Sequence, residues 1–211
     1  MDDVTENPLL NWTDLPPFDR IEIEHIQPAV KTLIERSEEA LSVLEAQPED
    51  AWTWDRVLIP LEKIDDDLGR IWGVVSHLHS VKDSQELRDV YDPLLADIVT
   101  FSNRMGQSKP LYNAYRALRN GPEWDGYDAA RKRIIESGIR EAELNGVGLD
   151  DDGRIRYNEI SQRQAEITTQ YSNNVLDDTK AFRLKLDSAD DVEGLPSMLL
   201  ELGADEARRD G

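Results

Sequence analysis

Two neighbouring stretches place an apolar residue every three or four positions, and this spacing constrains the fold more than any other feature of the chain. Leu61, Ile64, Leu68, Ile71, Val75 and Leu78 step by 3, 4, 3, 4, 3. Leu87, Tyr91, Leu94, Ile98, Phe101 and Met105 step by 4, 3, 4, 3, 4. On a helix of 3.6 residues per turn such positions fall on one face, and the 3–4 alternation is an a/d seam. A strand puts side chains on alternate faces at period two and cannot gather these residues on one side. Thr53 is a suitable N-cap before the first seam and Ser84 before the second. The short loop over 80–84 predicts an antiparallel hairpin of two helices.

The rest of the chain continues the helical pattern. An irregular arm over the first 20 residues holds Asn7-Pro8-Leu9-Leu10 and Leu15-Pro16-Pro17-Phe18, whose prolines disfavour helix in the residue before them. Its apolar residues are expected to pack on the body of the domain. A first helix is expected to start near Pro28 and to present Val30, Leu33, Ile34, Leu41 and Leu44. Pro60 is expected to kink the opening turns of the second. A fourth carries Leu111, Tyr115 and Leu118 and stops at Asn120-Gly121-Pro122. A fifth covers roughly Tyr127 to Leu144, and a sixth roughly Asp152 to Asp178 with Ile160, Ile167, Tyr171 and Val175 on one stripe. The period then changes to two. Phe182, Leu184 and Leu186 alternate with Arg183, Lys185 and Asp187, which predicts a half-buried strand. The expected fold is therefore mainly α: a bundle of about six helices with antiparallel hairpins. It ends in a lone β-strand that needs partners from sequence beyond residue 211. The expected division is a helical domain over residues 1–178 and the start of a following region over 179–211.

Charge and composition narrow the function. The 211 residues carry a net charge of −20, with 44 acidic against 24 basic side chains. That balance argues against nucleic acid, whose phosphates require a basic stripe. It equally disfavours an anionic membrane surface. A cleft bordered by such a field would favour cationic peptides. With no cysteine there is no thiol chemistry, disulfide or Cys-type zinc site. Met1-Asp2-Asp3-Val4-Thr5-Glu6 is acidic, not the apolar core of a secretory signal, and no apolar run reaches the length of a membrane span. A cytoplasmic location is the expectation.

No set of residues assembles into recognisable catalytic machinery, so the expected catalytic, cofactor-binding and metal-binding residues in this chain are none. Of the three histidines, His25 stands alone. His77 and His79, with Asp83 nearby, sit two residues apart, and on a helix such positions point about 200° apart. Helical zinc pairs use an i, i+4 spacing. Asp65-Asp66-Asp67 reads as a solvated face. Asp150-Asp151-Asp152-Gly153 lacks the alternating ligands and closing glutamate of a calcium loop and reads as a turn into a helix cap. Asp14, Glu22 and Glu24 could serve acid–base chemistry only if folding brought them into one cleft. Trp72 is expected in the core, while Trp52 and Trp54 suit packing at the start of a helix. Trp12 and Trp124 complete the tryptophans. Asn173-Asn174 are poor helix-interior residues and are expected to serve a domain junction.

Taken in order, these segments resemble the M3 family of zinc metallopeptidases, within its thimet-oligopeptidase group. The resemblance rests on Asn7-Pro8-Leu9-Leu10, Leu15-Pro16-Pro17-Phe18 and Glu24-His25 followed by Pro28-Ala29-Val30. It continues through Asp65-Asp66, Leu68-Gly69-Arg70, Val75-Ser76-His77-Leu78 and Ser80-Val81-Lys82. Glu86-Leu87-Arg88, Tyr115-Arg116, Leu118-Arg119, Glu143-Leu144 and Gly146-Val147-Gly148-Leu149 extend it. Tyr171-Ser172-Asn173-Asn174-Val175-Leu176-Asp177 is its most specific piece, and Gly194-Leu195-Pro196 follows. His79 stands where such proteins commonly carry asparagine.

The resemblance implies a long helical protein with two lobes around a channel that admits short peptides. It also implies zinc held in the C-terminal part by a His-Glu-x-x-His helix and a further glutamate. That motif is absent from these 211 residues. The implied role is that of a non-catalytic N-terminal channel wall, inactive alone, with no cofactor of its own although the intact enzyme holds zinc. Its implied partners are short peptides and the C-terminal catalytic domain of an intact monomer. The alternative is a stand-alone helical module that binds peptides or proteins.

Overall fold

The structure is a computed structural model that describes residues 7–210. The acidic residues 1–6 invoked against a secretory signal lie outside the described residues. Seven α-helices follow one another: α1 (Ile23–Glu45), α2 (Ile59–Val81), α3 (Gln85–Gly106), α4 (Lys109–Asn120), α5 (Ala129–Leu144), α6 (Asp151–Ala181) and α7 (Ser197–Asp210). The chain divides into two compact units, residues 1–168 and 169–211.

In the first unit, all six residues of the α2 seam are buried, and so are Leu87, Tyr91, Leu94, Ile98 and Phe101 of the α3 seam. Met105 is partly buried against the same core. The seams do not close mainly on each other. α1 makes its most extensive contacts with α2 and α3, and α4 pairs with α5. The hairpin turn between α2 and α3 is short, as expected, but the apolar face of α1 is what fills both seams. Ala29, Val30, Leu33, Leu41 and Leu44 are buried there.

α1 starts five residues before the expected Pro28. Glu22 and His25 form a capping box, in which the Glu22 backbone N–H donates to His25 Nδ1 at 3.0 Å. The cap fixes the start, and Pro28 is tolerated in the second turn. The start of α2 shows a related device. Thr53 Oγ1 accepts from the Arg56 N–H as expected, but the first turn, Trp54–Leu58, is a π-helix. It delivers the chain to Pro60 at the start of α2, where a missing N–H costs nothing. α4 stops at Asn120 because Pro122 forces Gly121 into an extended conformation, with φ −80 and ψ 168. α5 ends in a Schellman motif. Gly146 takes φ +85, its N–H donates to Glu143 O, and the Val147 N–H donates to Ala142 O.

The N-terminal arm docks only in part. Leu9 is completely buried, held by the Asn7 side chain, which donates to His25 O at 2.8 Å and accepts from the Leu9 N–H at 2.9 Å. Leu15 is exposed.

In the second unit the expected strand is corrected. α6 runs to Ala181, and residues 182–187 take no regular structure; among the described residues there is no β-strand at all. The alternation of Phe182, Leu184 and Leu186 sets the faces a strand would have, but a strand exists only through its ladder of backbone hydrogen bonds. Here Arg183 Nη1 takes the Lys180 and Phe182 carbonyls, at 2.7 and 2.9 Å. The fold is all-α, with seven helices among the described residues.

Candidate functional site

The acidic face of α2 meets α4 and α5 at a cavity of about 260 Å³, lined by Leu61, Asp65, Met105, Tyr115 and Glu141 among others. The α2 seam turns Leu61 inward and Asp65 to its edge. α5 contributes Glu141 on the turn after Gly138. Gly138 lets α4 approach, because a Cβ there would sit 2.5 Å from the Tyr115 ring. Neither Asp65 nor Glu141 has an ion-pair partner among the described residues.

The electrostatics follow from this crowding. Asp65 and Glu141 stand at the solvent-exposed mouth of this cavity; partial desolvation there, then the nearby Glu141 charge, raises the Asp65 pKa above the usual carboxylate value, an effect that solvent screens. Burial, then the charges of Asp65 and Glu141, pushes the Tyr115 phenol up to about 12. The neighbouring Tyr112 donates its OH to Glu143 at 2.8 Å. The site can attract a cation. It holds no nucleophile paired with a base.

The other sequence candidates are scattered. His77 is exposed and stacks at a tilt on Phe18, with centroids 5.4 Å apart. His79 stacks on Tyr91 at 4.1 Å, and Trp72 on the same Tyr91 at 4.8 Å. Asp83 is gripped by the Arg88 guanidinium in two hydrogen bonds of 2.7 Å. Asp65 and Asp66 are exposed on the α2 surface and Asp67 is half-buried there, accepting from Lys63 at 2.8 Å. Asp150 accepts from the Gly153 N–H at 2.8 Å, capping the start of α6 as expected. Glu22 and His25 are spent on the capping box, and Asp14 and Glu24 are exposed. Asn173 and Asn174 lie in the second unit on α6. Among the described residues, no group of three His, Asp or Glu side chains is placed to hold a metal ion. The described side chains do not fit a zinc site, which the resemblance places in the C-terminal part of an intact enzyme.

Two arrangements carry no sequence signal. Arg104 on α3 donates to both Glu45 oxygens on α1, at 2.7 and 2.5 Å, and Ser108 Oγ donates to Glu45 at 2.5 Å. The partners are about 60 positions apart, beyond any local pattern. Second, Tyr127 packs at a tilt against Trp54 and in a T-shape against Trp124, with Arg131 5.0 Å over Trp54 and Arg119 4.1 Å over Trp124. The chain's own cations cover these faces, so the tryptophans there form a structural layer.

Fold and surface together define an all-helical domain with an acidic face on α2 and α5 and no catalytic constellation among its described residues. A family model described as the neurolysin/thimet oligopeptidase N-terminal domain matches residues 30–154, well over half of the chain. The chain belongs to that family. It is 42% identical over 205 residues to the oligopeptidase A of Haemophilus influenzae, covering 97% of this chain and 30% of that protein. It is 40% identical over 206 residues to the probable cytosolic oligopeptidase A of Arabidopsis thaliana, covering 98% and 29% respectively. A third relative, the organellar oligopeptidase A of the same plant, is 41% identical over 97% of this chain and 26% of its own length. The chain thus spans under a third of each relative and corresponds to their N-terminal portion. Among the described residues no helix is long and apolar enough to cross a membrane.

Proposed function

We propose that this chain forms one wall of the peptide channel of a zinc-dependent oligopeptidase and supplies none of its catalytic or metal-binding residues. Residues 1–178 make the wall, with Asn173 and Asn174 serving its junction, and residues 179–211 begin the region that follows. The substrates are short peptides, met in the cytoplasm by a monomeric enzyme. The observation that carries this reading is a near end-to-end identity of about 40% to proteins named oligopeptidase A, over less than a third of their length. The uncovered apolar faces of the second unit support it, since they suit burial against the further sequence that such relatives possess. The acidic cavity of Asp65 and Glu141 fits a channel that draws in cationic peptide ends.

The test is direct. Homogeneous 211-residue protein supplied with zinc is expected to leave a fluorogenic peptide intact, and cleavage by it would overturn the reading. In the longer gene product, Asp65→Lys with Glu141→Lys is expected to lower kcat/KM for a cationic peptide more than for a neutral one. Equal effects on both would remove the acidic face from the channel.

A further inference from the structure

A second cavity, of about 290 Å³, opens between the N-terminal arm, α1 and α2, and its charge is opposite to that of the molecule. Its floor is apolar: Leu9, Leu33, Ile64 and Ile71 are all buried. Its lining carries three cations, Arg36, Lys63 and Arg70, against one acid, Asp67, in a chain of net charge −20. Lys63 and Asp67 neutralise each other at 2.8 Å. Arg70 is held in place, its guanidinium 4.2 Å over the Trp12 ring and its Nη2 3.5 Å from Trp12 O, and it has no ion-pair partner among the described residues. Arg36 has no ion-pair or hydrogen-bond partner among the described residues. The lining also includes Ser37, a residue only 4% exposed, whose hydroxyl is a neutral donor next to Arg36 in sequence.

We propose that this cavity binds a small carboxylate carried on an apolar body about the size of one large amino-acid residue. The apolar part would fill the floor. The carboxylate would lie between Arg36 and Arg70, where guanidinium forks match its two oxygens, with Ser37 Oγ as a third donor. The volume lies near the lower limit of ligand pockets, about 300 Å³, which sets the size of the body. Two sources share this chemistry, a free small acid and the C-terminal residue of a peptide. The proposal does not depend on the channel-wall reading, because nothing in it requires catalysis or the acidic face.

The Trp12 indole N–H donates to Leu9 O at the rim and reports on occupancy. Its signal in a ¹H–¹⁵N spectrum of the 211-residue protein, assigned by its loss in Trp12→Phe, would be followed during titration. N-acetylleucine is expected to shift it saturably, while N-acetylleucinamide and acetate do not. Arg36→Gln and Arg70→Gln, both at exposed residues, are expected to weaken binding about tenfold each. Lys31→Gln, outside the cavity, is expected to leave it unchanged. A leucine-terminated tetrapeptide that binds as N-acetylleucine does assigns the site to peptide ends; its exclusion assigns the site to free acids. The proposal is overturned if no saturable shift occurs, if the amide binds as well as the acid, or if both arginine variants bind like the parent.

Discussion

Glu45 illustrates how much one side chain can tie together. Its carboxylate accepts from Arg104 on α3 and from Ser108, whose hydroxyl oxygen also accepts from the Leu111 N–H as the N-cap of α4. Three helices therefore meet at one mostly buried acid. The Arg104 hydrogen bonds hold the Glu45 pKa below its usual value, against the opposing effect of burial. A carboxylate with a depressed folded-state pKa stabilises the fold above its unfolded pKa, and that stability is lost as pH falls through the folded value. Glu45→Gln is therefore expected to cost about 1–2 kcal/mol at pH 7 in urea unfolding, the Arg104 end being partly solvated. The cost should shrink as the pH is lowered below about 4. A loss that stays constant down to pH 3 would show that shape, not charge, is what Glu45 contributes. Local signals make Thr53, Ser84 and Asp150 legible in the sequence, because a cap acts on a backbone N–H two or three residues away. The Glu45–Arg104 clamp and the Asp83–Arg88 grip are illegible there. An arginine at either position has many acids within reach of the sequence, and only the packing of the helices selects one.

At the scale of the element, α2 carries two messages that the sequence states with unequal clarity. Its seam is legible because burial enforces periodicity, and all six seam positions are buried. Its acidic edge is legible only as charge. That Asp65 faces Glu141 and Tyr115 depends on α5 coming alongside, for which the sequence has no local sign. A raised carboxyl pKa in the folded state means that folding binds a proton more tightly. Stability from Asp65 is then full below the unfolded pKa and is lost as pH rises through the folded value. Asp65→Asn removes that loss. Because Asp65 is exposed and its charge is screened by solvent, the substitution is expected to raise Tm at pH 7 by no more than about 1 °C, with the gain vanishing near pH 3. An unchanged Tm at pH 7 would mean that solvent screens the carboxyl fully. The segment after α6 fails in the opposite direction. Six alternating residues give the period of a strand, yet period alone supplies no ladder, and the nearest carbonyls are taken by Arg183.

For the molecule, the contrast between its two compact units matters most. In residues 1–168 one continuous core joins α1 to α5. The first part of α6 is attached there by polar bonds: Gln107 to Asn158 at 2.9 Å, Tyr157 to Asn145 at 3.1 Å, and Gln162 to Thr100 at 2.9 Å. Its Ile155, Ile160 and Ile167 stay exposed, so the stripe to which Ile160 and Ile167 belong has no cover within the described residues. In residues 169–211 no described side chain is buried, and Tyr171, Phe182 and Leu184 are each about 70% exposed. Stability tracks buried apolar area, so the two units should open with different free energies. Hydrogen exchange on the 211-residue protein is expected to show strong protection in α1 to α5 and weak protection throughout 169–210. If the second unit is built to lie against further chain, the same amides should become protected in the longer gene product. Weak protection there in both proteins would make the exposed leucines of α7 a surface of the domain in its own right, as the stand-alone module requires. Strong protection in the 211-residue protein alone would show that the second unit closes its own core.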